Sequence, residues 1–211
     1  MLVQILVDNP RSWIVSYAND LVSKIINDLG VNAKLIHDPE NVIEGDILCL
    51  LGCERIFNKL HLNKHNLVVH ESDLPSGKGW SPVSWQVLEN KKNITVSLFE
   101  AVNEIDAGPI YAQSSIVLEG SELWSEIKDK QGRCTQKLVL DFVTNYPNNK
   151  SRDQIGEPSY YSKRTIKDSE LNINKSIADQ FNLLRIVDND RYPAFFFIDG
   201  IKYIIKIYKG D

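Results

Sequence analysis

Two residues in this 211-residue chain pair a reactive side chain with a placement that could use it. His70 closes the apolar run Asn66-Leu-Val-Val-His70, just before a stretch rich in Gly, Ser and Pro. An imidazole titrates near neutral pH, so it can take a proton and return it. Asp106 sits in the turn Ile-Asp-Ala-Gly-Pro. A carboxylate beside an imidazole orients the ring, raises its basicity and stabilises its cation. Taken singly, each has a bland reading: a solvated strand-end histidine, and an aspartate that merely shapes a turn. Ser72 lacks the G-x-S-x-G elbow of a nucleophilic serine and reads as a hydroxyl that orders the loop. Cys49 and Cys53 are spaced C-x3-C, but neither a second cysteine pair nor a histidine duo completes a zinc site. With Cys134 they read as small thiols in a reducing compartment, and no metal is expected.

The elements that must carry these groups follow from periodicity. Residues 2–8 read as a buried strand, and 13–29 as a helix whose apolar positions recur at three and four residues. Strands follow at 33–37, 47–51 and 66–72, then a Pro/Gly-rich loop and a helix over about 83–89. Residues 94–100 and 110–118 read as two further strands, and 122–146 as a long amphipathic helix. This rhythm predicts an α/β fold: a Rossmann-like, open, mostly parallel sheet with flanking helices. Ligands in such sheets lie beyond the carboxyl ends of the parallel strands, where His70 falls. Residues 1–146 form the expected catalytic domain. Residues 147–211 form a linker and a small extension, with a short helix near 174–187 and a hairpin of 194–198 and 201–208 turning at Asp199-Gly200.

Composition narrows the partners. A net charge of −4 argues against a surface built to hold nucleic acid through its phosphates, and favours a small-molecule substrate. The N-terminal apolar run meets Asn9 and Pro10 too early for a signal segment or a membrane span, so a cytoplasmic chain with no membrane partner is expected. The apolar C-terminal hairpin suggests a subunit contact and hence a homodimer.

Context makes the two reactive residues specific. HESDLPSGKGWSPVSWQVLE, followed after a strand by ITVSLFEAVNEIDAGPIY, resembles the signature of the folate-dependent formyltransferases. That family includes glycinamide ribonucleotide transformylase, methionyl-tRNA formyltransferase and the sugar-nucleotide N-formyltransferases. Its His-x-Ser-x-Leu-Pro, Gly and Pro are matched by His70, Ser72, Leu74, Pro75, Gly79 and Pro82, and its Asp-x-Gly-x-Ile by Asp106, Gly108 and Ile110. SYYSKRTIKDSELN and RYPAFFFIDGIKYIIKIY look like the segment that follows the catalytic domain in the methionyl-tRNA and sugar enzymes. The family's asparagine two residues before the histidine is Val68 here. Asn66 shares that strand face but lies four residues from His70, about 13 Å along an extended strand, too far to share one formyl group.

The resemblance implies an N-formyltransferase using formyl-tetrahydrofolate, with His70 as general base and Asp106 orienting it. It implies a pterin pocket built by residues 52–57 and 101–107, with Cys53, Arg55, Ile56, Val102, Asn103 and Asp106 at its border. Ser72, Lys78, Gly79, Tyr161, Lys163 and Arg164 are the candidates for the acceptor, whose nearest kin by motif is a nucleotide-linked amino sugar. Formylation of an aminoacyl group, on tRNA or on a peptide-synthetase carrier, is a second reading; for tRNA, only about 50 residues follow the linker, few for the family's RNA-binding barrel. Hydrolysis of formyl-tetrahydrofolate and a folate-binding module without turnover remain open, both prompted by Val68.

Overall fold

The computed structural model describes residues 1–210. Six strands form one mixed sheet: β1 (Leu2–Leu6), β2 (Asn32–Ile36), β3 (Gly45–Leu50), β4 (Asn63–His70), and, after a two-residue β5 (Lys78–Gly79), β6 (Asn93–Glu100) and β7 (Ile110–Val117). The order is β2-β1-β3-β4-β6-β7. The first four are parallel, and β6 and β7 are added antiparallel. Helices α1 (Val15–Leu29), α2 (Pro82–Leu88) and α3 (Trp124–Asn145) flank it. The expected strands and helices of this layer are present with boundaries shifted by at most three residues.

The main core lies where α1 and α3 cover one sheet face, with Ile5, Ile47, Leu67, Val96 and Leu98 meeting Leu21, Ile25, Leu138 and Phe142. Alternation along β4 sends Leu67 and Val69 toward that core and leaves Val68 and His70 on the other face. There Val68 packs with Leu74, Phe99 and Ile110.

Beyond α3 the chain returns to β7 and the loop that follows β4. Arg152 bridges Ile110 in both directions, Ile110 N donating to Arg152 O at 2.8 Å and Arg152 N to Ile110 O at 2.9 Å. β8 (Tyr160–Tyr161) then pairs parallel with β5. The expected helix over 174–187 is shorter: a 3-10 turn at Ala178–Gln180 leads into α4 (Phe181–Arg185). Side chains explain the delay. Asn172, Ser176 and Asp179 bond to nearby backbone or to one another, and the Gln180 amide caps Asn172 O at 3.0 Å, so local turns outcompete the helix. Strands β9 (Ala194–Ile198) and β10 (Ile201–Ile205) close the fold as an antiparallel hairpin. Among the described residues no helix is long and apolar enough to cross a membrane.

Candidate active site

β4 delivers His70 to the sheet rim, where the following loop folds over it. His70 Nε2 lies 2.8 Å from Gly77 O. A carbonyl only accepts, so Nε2 carries the proton and the neutral ring keeps its lone pair on Nδ1. That nitrogen faces Asp106 Oδ2 at 3.9 Å. This is beyond a hydrogen bond but close enough for a carboxylate to stabilise an imidazolium. The ring is therefore oriented by the Gly77 carbonyl, and the Asp106 carboxylate stands beside Nδ1 without a hydrogen bond to it. Both side chains are largely shielded from water.

Asp106 adopts left-handed backbone, φ 53°, a conformation aspartate tolerates better than most residues. Its Oδ2 accepts from Gly79 N at 2.9 Å. Two residues on, the loop presses onto β6 so closely that a Cβ on Gly108 would fall 1.7 Å from Glu100 O. Only glycine allows that approach. Gly79 is equally constrained, since a Cβ there would meet Tyr161 O at 2.5 Å.

Beneath the loop, Ser97 Oγ donates to Ser72 O at 2.7 Å, and the Gln113 amide reaches Ser97 Oγ at 3.0 Å and Asp73 Oδ1 at 3.1 Å. Ser72 Oγ is buried without a partner. Asn66, the nearest asparagine to His70, is tied away: its amide donates to Leu60 O at 2.8 Å. At Val68 the surface is aliphatic and offers no side-chain donor.

The remaining candidates fall into two groups. Around the loop, the Lys78 side chain is buried, with Glu104 as its ion-pair partner at 3.9 Å. Lys163 Nζ sits 4.5 Å over the exposed Trp80 ring. Tyr161 stacks on Trp85 and donates to Glu89 at 2.8 Å, and Arg164 donates to Asp168 O at 2.8 Å. Beyond β3, the Asp8 carboxylate takes the N–H groups of Glu54, at 3.0 Å, and Arg55, at 2.8 Å. The Cys53 thiol is pushed up to about 12 by burial, which makes it a poor nucleophile. Ile56, Val102 and Ile105 are exposed aliphatics, and Asn103 is exposed between them in sequence.

Sequence reasoning missed Gln154, whose amide holds the Asp106 turn, and Ser159, whose hydroxyl accepts from Gly77 N at 2.9 Å. Both lie in a polar linker that carries no pattern marking them. Two open depressions, of about 430 and 640 Å³, lie elsewhere, one beside Leu171 and Phe197 and the other beside Glu122 and Asp129. Among the described residues no group of His, Cys, Asp and Glu could hold a metal ion.

No family model matches the chain. Over 147 residues it is 27% identical to the methionyl-tRNA formyltransferase of Lactobacillus johnsonii, a match covering 67% of this chain and 45% of that protein. The chain thus aligns with about half the length of the curated relatives it matches. In fold it is similar to a methionyl-tRNA formyltransferase from Clostridium thermocellum, with a TM-score of 0.82 at 18% identity over 100% of this chain and 93% of that one. It also superposes on a sugar N-formyltransferase from Shewanella, with a TM-score of 0.71 at 17% identity over 98% and 97% of the two chains. In sequence the chain is thus similar to methionyl-tRNA formyltransferases, and it shares its fold with solved formyltransferase structures.

Proposed function

We propose that the protein is a cytoplasmic N-formyltransferase that moves the formyl group of formyl-tetrahydrofolate to the primary amine of a nucleotide-linked amino sugar. One observation carries this reading: His70, with its lone pair on Nδ1, faces the Asp106 carboxylate at 3.9 Å on the open rim of the sheet. The acceptor nitrogen attacks the formyl carbon and loses a proton to His70 Nδ1. The imidazolium so formed is balanced by Asp106 and donates to the oxyanion, a task the aliphatic side chain at Val68 cannot share. When the intermediate collapses, the C–N bond to the donor breaks, and the same proton passes to the departing nitrogen.

The donor is a substrate here, and the residues fit it. Ile56, Val102 and Ile105 offer exposed aliphatic surface to a flat ring, and Asn103 offers an amide. For the acceptor, Lys163 supplies a cation, and Trp80 and Tyr160 supply exposed aromatic faces, the chemistry that meets a nucleoside diphosphate. Aminoacyl formylation is the second reading, favoured by the sequence match to a methionyl-tRNA formyltransferase. The net charge of −4 weighs against tRNA.

The test is release of tetrahydrofolate from formyl-tetrahydrofolate with nucleotide-linked amino sugars, with methionyl-tRNA, or with no amine. Release that requires the amino sugar is expected. Release that requires methionyl-tRNA selects the second reading. Amine-independent release would mark a hydrolase, and tight folate binding without turnover a binding module; either would overturn the proposal.

A further inference from the structure

We infer that Gln154 and Ser159, on the strap that crosses back over the first domain, are positioning residues that together set the geometry of the His70–Asp106 pair. The inference rests on the proposed transferase reading for its kinetic consequence, but its geometry stands apart from the reaction.

The strap is placed in register by the two-way bridge between Arg152 and Ile110, at the start of β7. Two residues on, both N–H groups of the Gln154 amide are spent on the turn that bears the carboxylate. Nε2 donates to Asp106 O and to Gly108 O, each at 2.9 Å. This clamp spans a left-handed residue and the glycine pressed onto β6, so it holds the turn in a conformation it would not keep alone. The same amide leaves Oε1 buried with no partner. An orphaned buried acceptor costs stability, and a side chain kept at that cost is doing something its packing does not explain.

Five residues later Ser159 secures the other member. Its Oγ accepts from Gly77 N at 2.9 Å and bonds Ser76 Oγ at 3.0 Å, while Ser159 O takes the Lys78 N–H at 2.9 Å. Gly77 O is the acceptor that fixes the His70 tautomer. One short segment therefore holds the imidazole through Gly77 and the carboxylate through its own backbone, without touching either side chain.

The experiment is NMR and steady-state kinetics on Gln154→Met, Ser159→Ala and Ser159→Thr. Two signals report geometry whatever the reaction: the ring nitrogens of His70, which read the Nε2–H tautomer, and the Gly79 amide proton, which reads its bond to Asp106. Ser159→Ala is expected to mix the tautomers and Ser159→Thr to restore one. Gln154→Met is expected to move the Gly79 signal and lower kcat about 10- to 100-fold with KM within about twofold. Unchanged His70 and Gly79 signals in Ser159→Ala and Gln154→Met would overturn the inference, whether or not thermal stability falls. If the parent protein transfers no formyl group, the proposed function fails, and the two NMR signals alone decide the positioning roles.

Discussion

Two shielded acid–base pairs in this molecule are built to opposite specifications. In the first, His70 and Asp106 have side chains 9% and 11% exposed and stand 3.9 Å apart without a hydrogen bond between them. In the second, Arg185 and Glu122 are 5% and 7% exposed and meet at 3.0 Å. Glu122 also accepts from the N–H groups of Glu119 and Gly120 and from Lys130, and Arg185 bonds Glu122 O and Asn182. Every nitrogen and oxygen of the two charged groups in the second pair has a partner, so the pair holds α4 against the start of α3. The first pair keeps a lone pair and a carboxylate edge uncommitted, which is the condition for taking up a substrate proton. The comparison teaches that burial alone does not mark a site for proton transfer; an acid and a base that face each other with atoms left unpartnered are the further sign.

The sharpest test replaces His70. His70→Ala is expected to lower turnover about 100- to 10,000-fold, the usual cost of losing a general base, with the thermal midpoint held within a few degrees. Near-normal turnover in that variant would remove His70 from the chemistry. Glu122→Gln should show the reverse: about 3–5 kcal/mol less stability, because Arg185 is left buried without its counter-charge, and unchanged kcat per folded molecule. Its pH dependence follows from the carboxyl itself. Burial alone would raise it, but the backbone N–H groups and Lys130 outweigh burial and hold it at about 2. A depressed carboxyl stabilises the fold above its unfolded value near 4.5, and that contribution disappears as pH falls from 4.5 toward 2. Parent and variant should therefore converge in stability across this window; a constant gap would show that the pair is not the cause. The smallest effect is expected for Asp106→Asn. It keeps an acceptor for Gly79 N but removes the counter-charge, and kcat should drop about 10- to 100-fold, or about 1.4–2.8 kcal/mol, with less change in folate affinity. An unchanged rate would reduce Asp106 to a turn residue.

Much of the scaffold was legible because its signals are local. β1, β3 and β6 announce themselves as apolar or alternating runs, and α1 and α3 by apolar positions three and four apart. His70 and Asp106 were legible through the strings around them, although a sequence separation of 36 gave no hint of a 3.9 Å approach. What could not be read is what depends on chain crossings. β5 and β8 are two residues each, too short for any periodicity, and exist only because the strap lies beside the loop. Gln154 looks like one more polar residue in a linker until its amide is seen on two carbonyls. The division of labour at His70 was equally hidden, since a neighbouring backbone carbonyl, rather than the carboxylate, orients the ring.

The strap also orders events in time. The contacts from Gln154 reach back 46 and 48 positions, and that from Ser159 reaches back 82. Each of these contacts waits on synthesis of the strap, which follows every strand of the six-stranded sheet. During synthesis the sheet can assemble around His70 well before the segment that tightens its surroundings has been made. Until the strap is made, the Asp106 turn lacks the Gln154 clamp and the Gly77 segment lacks its bond from Ser159.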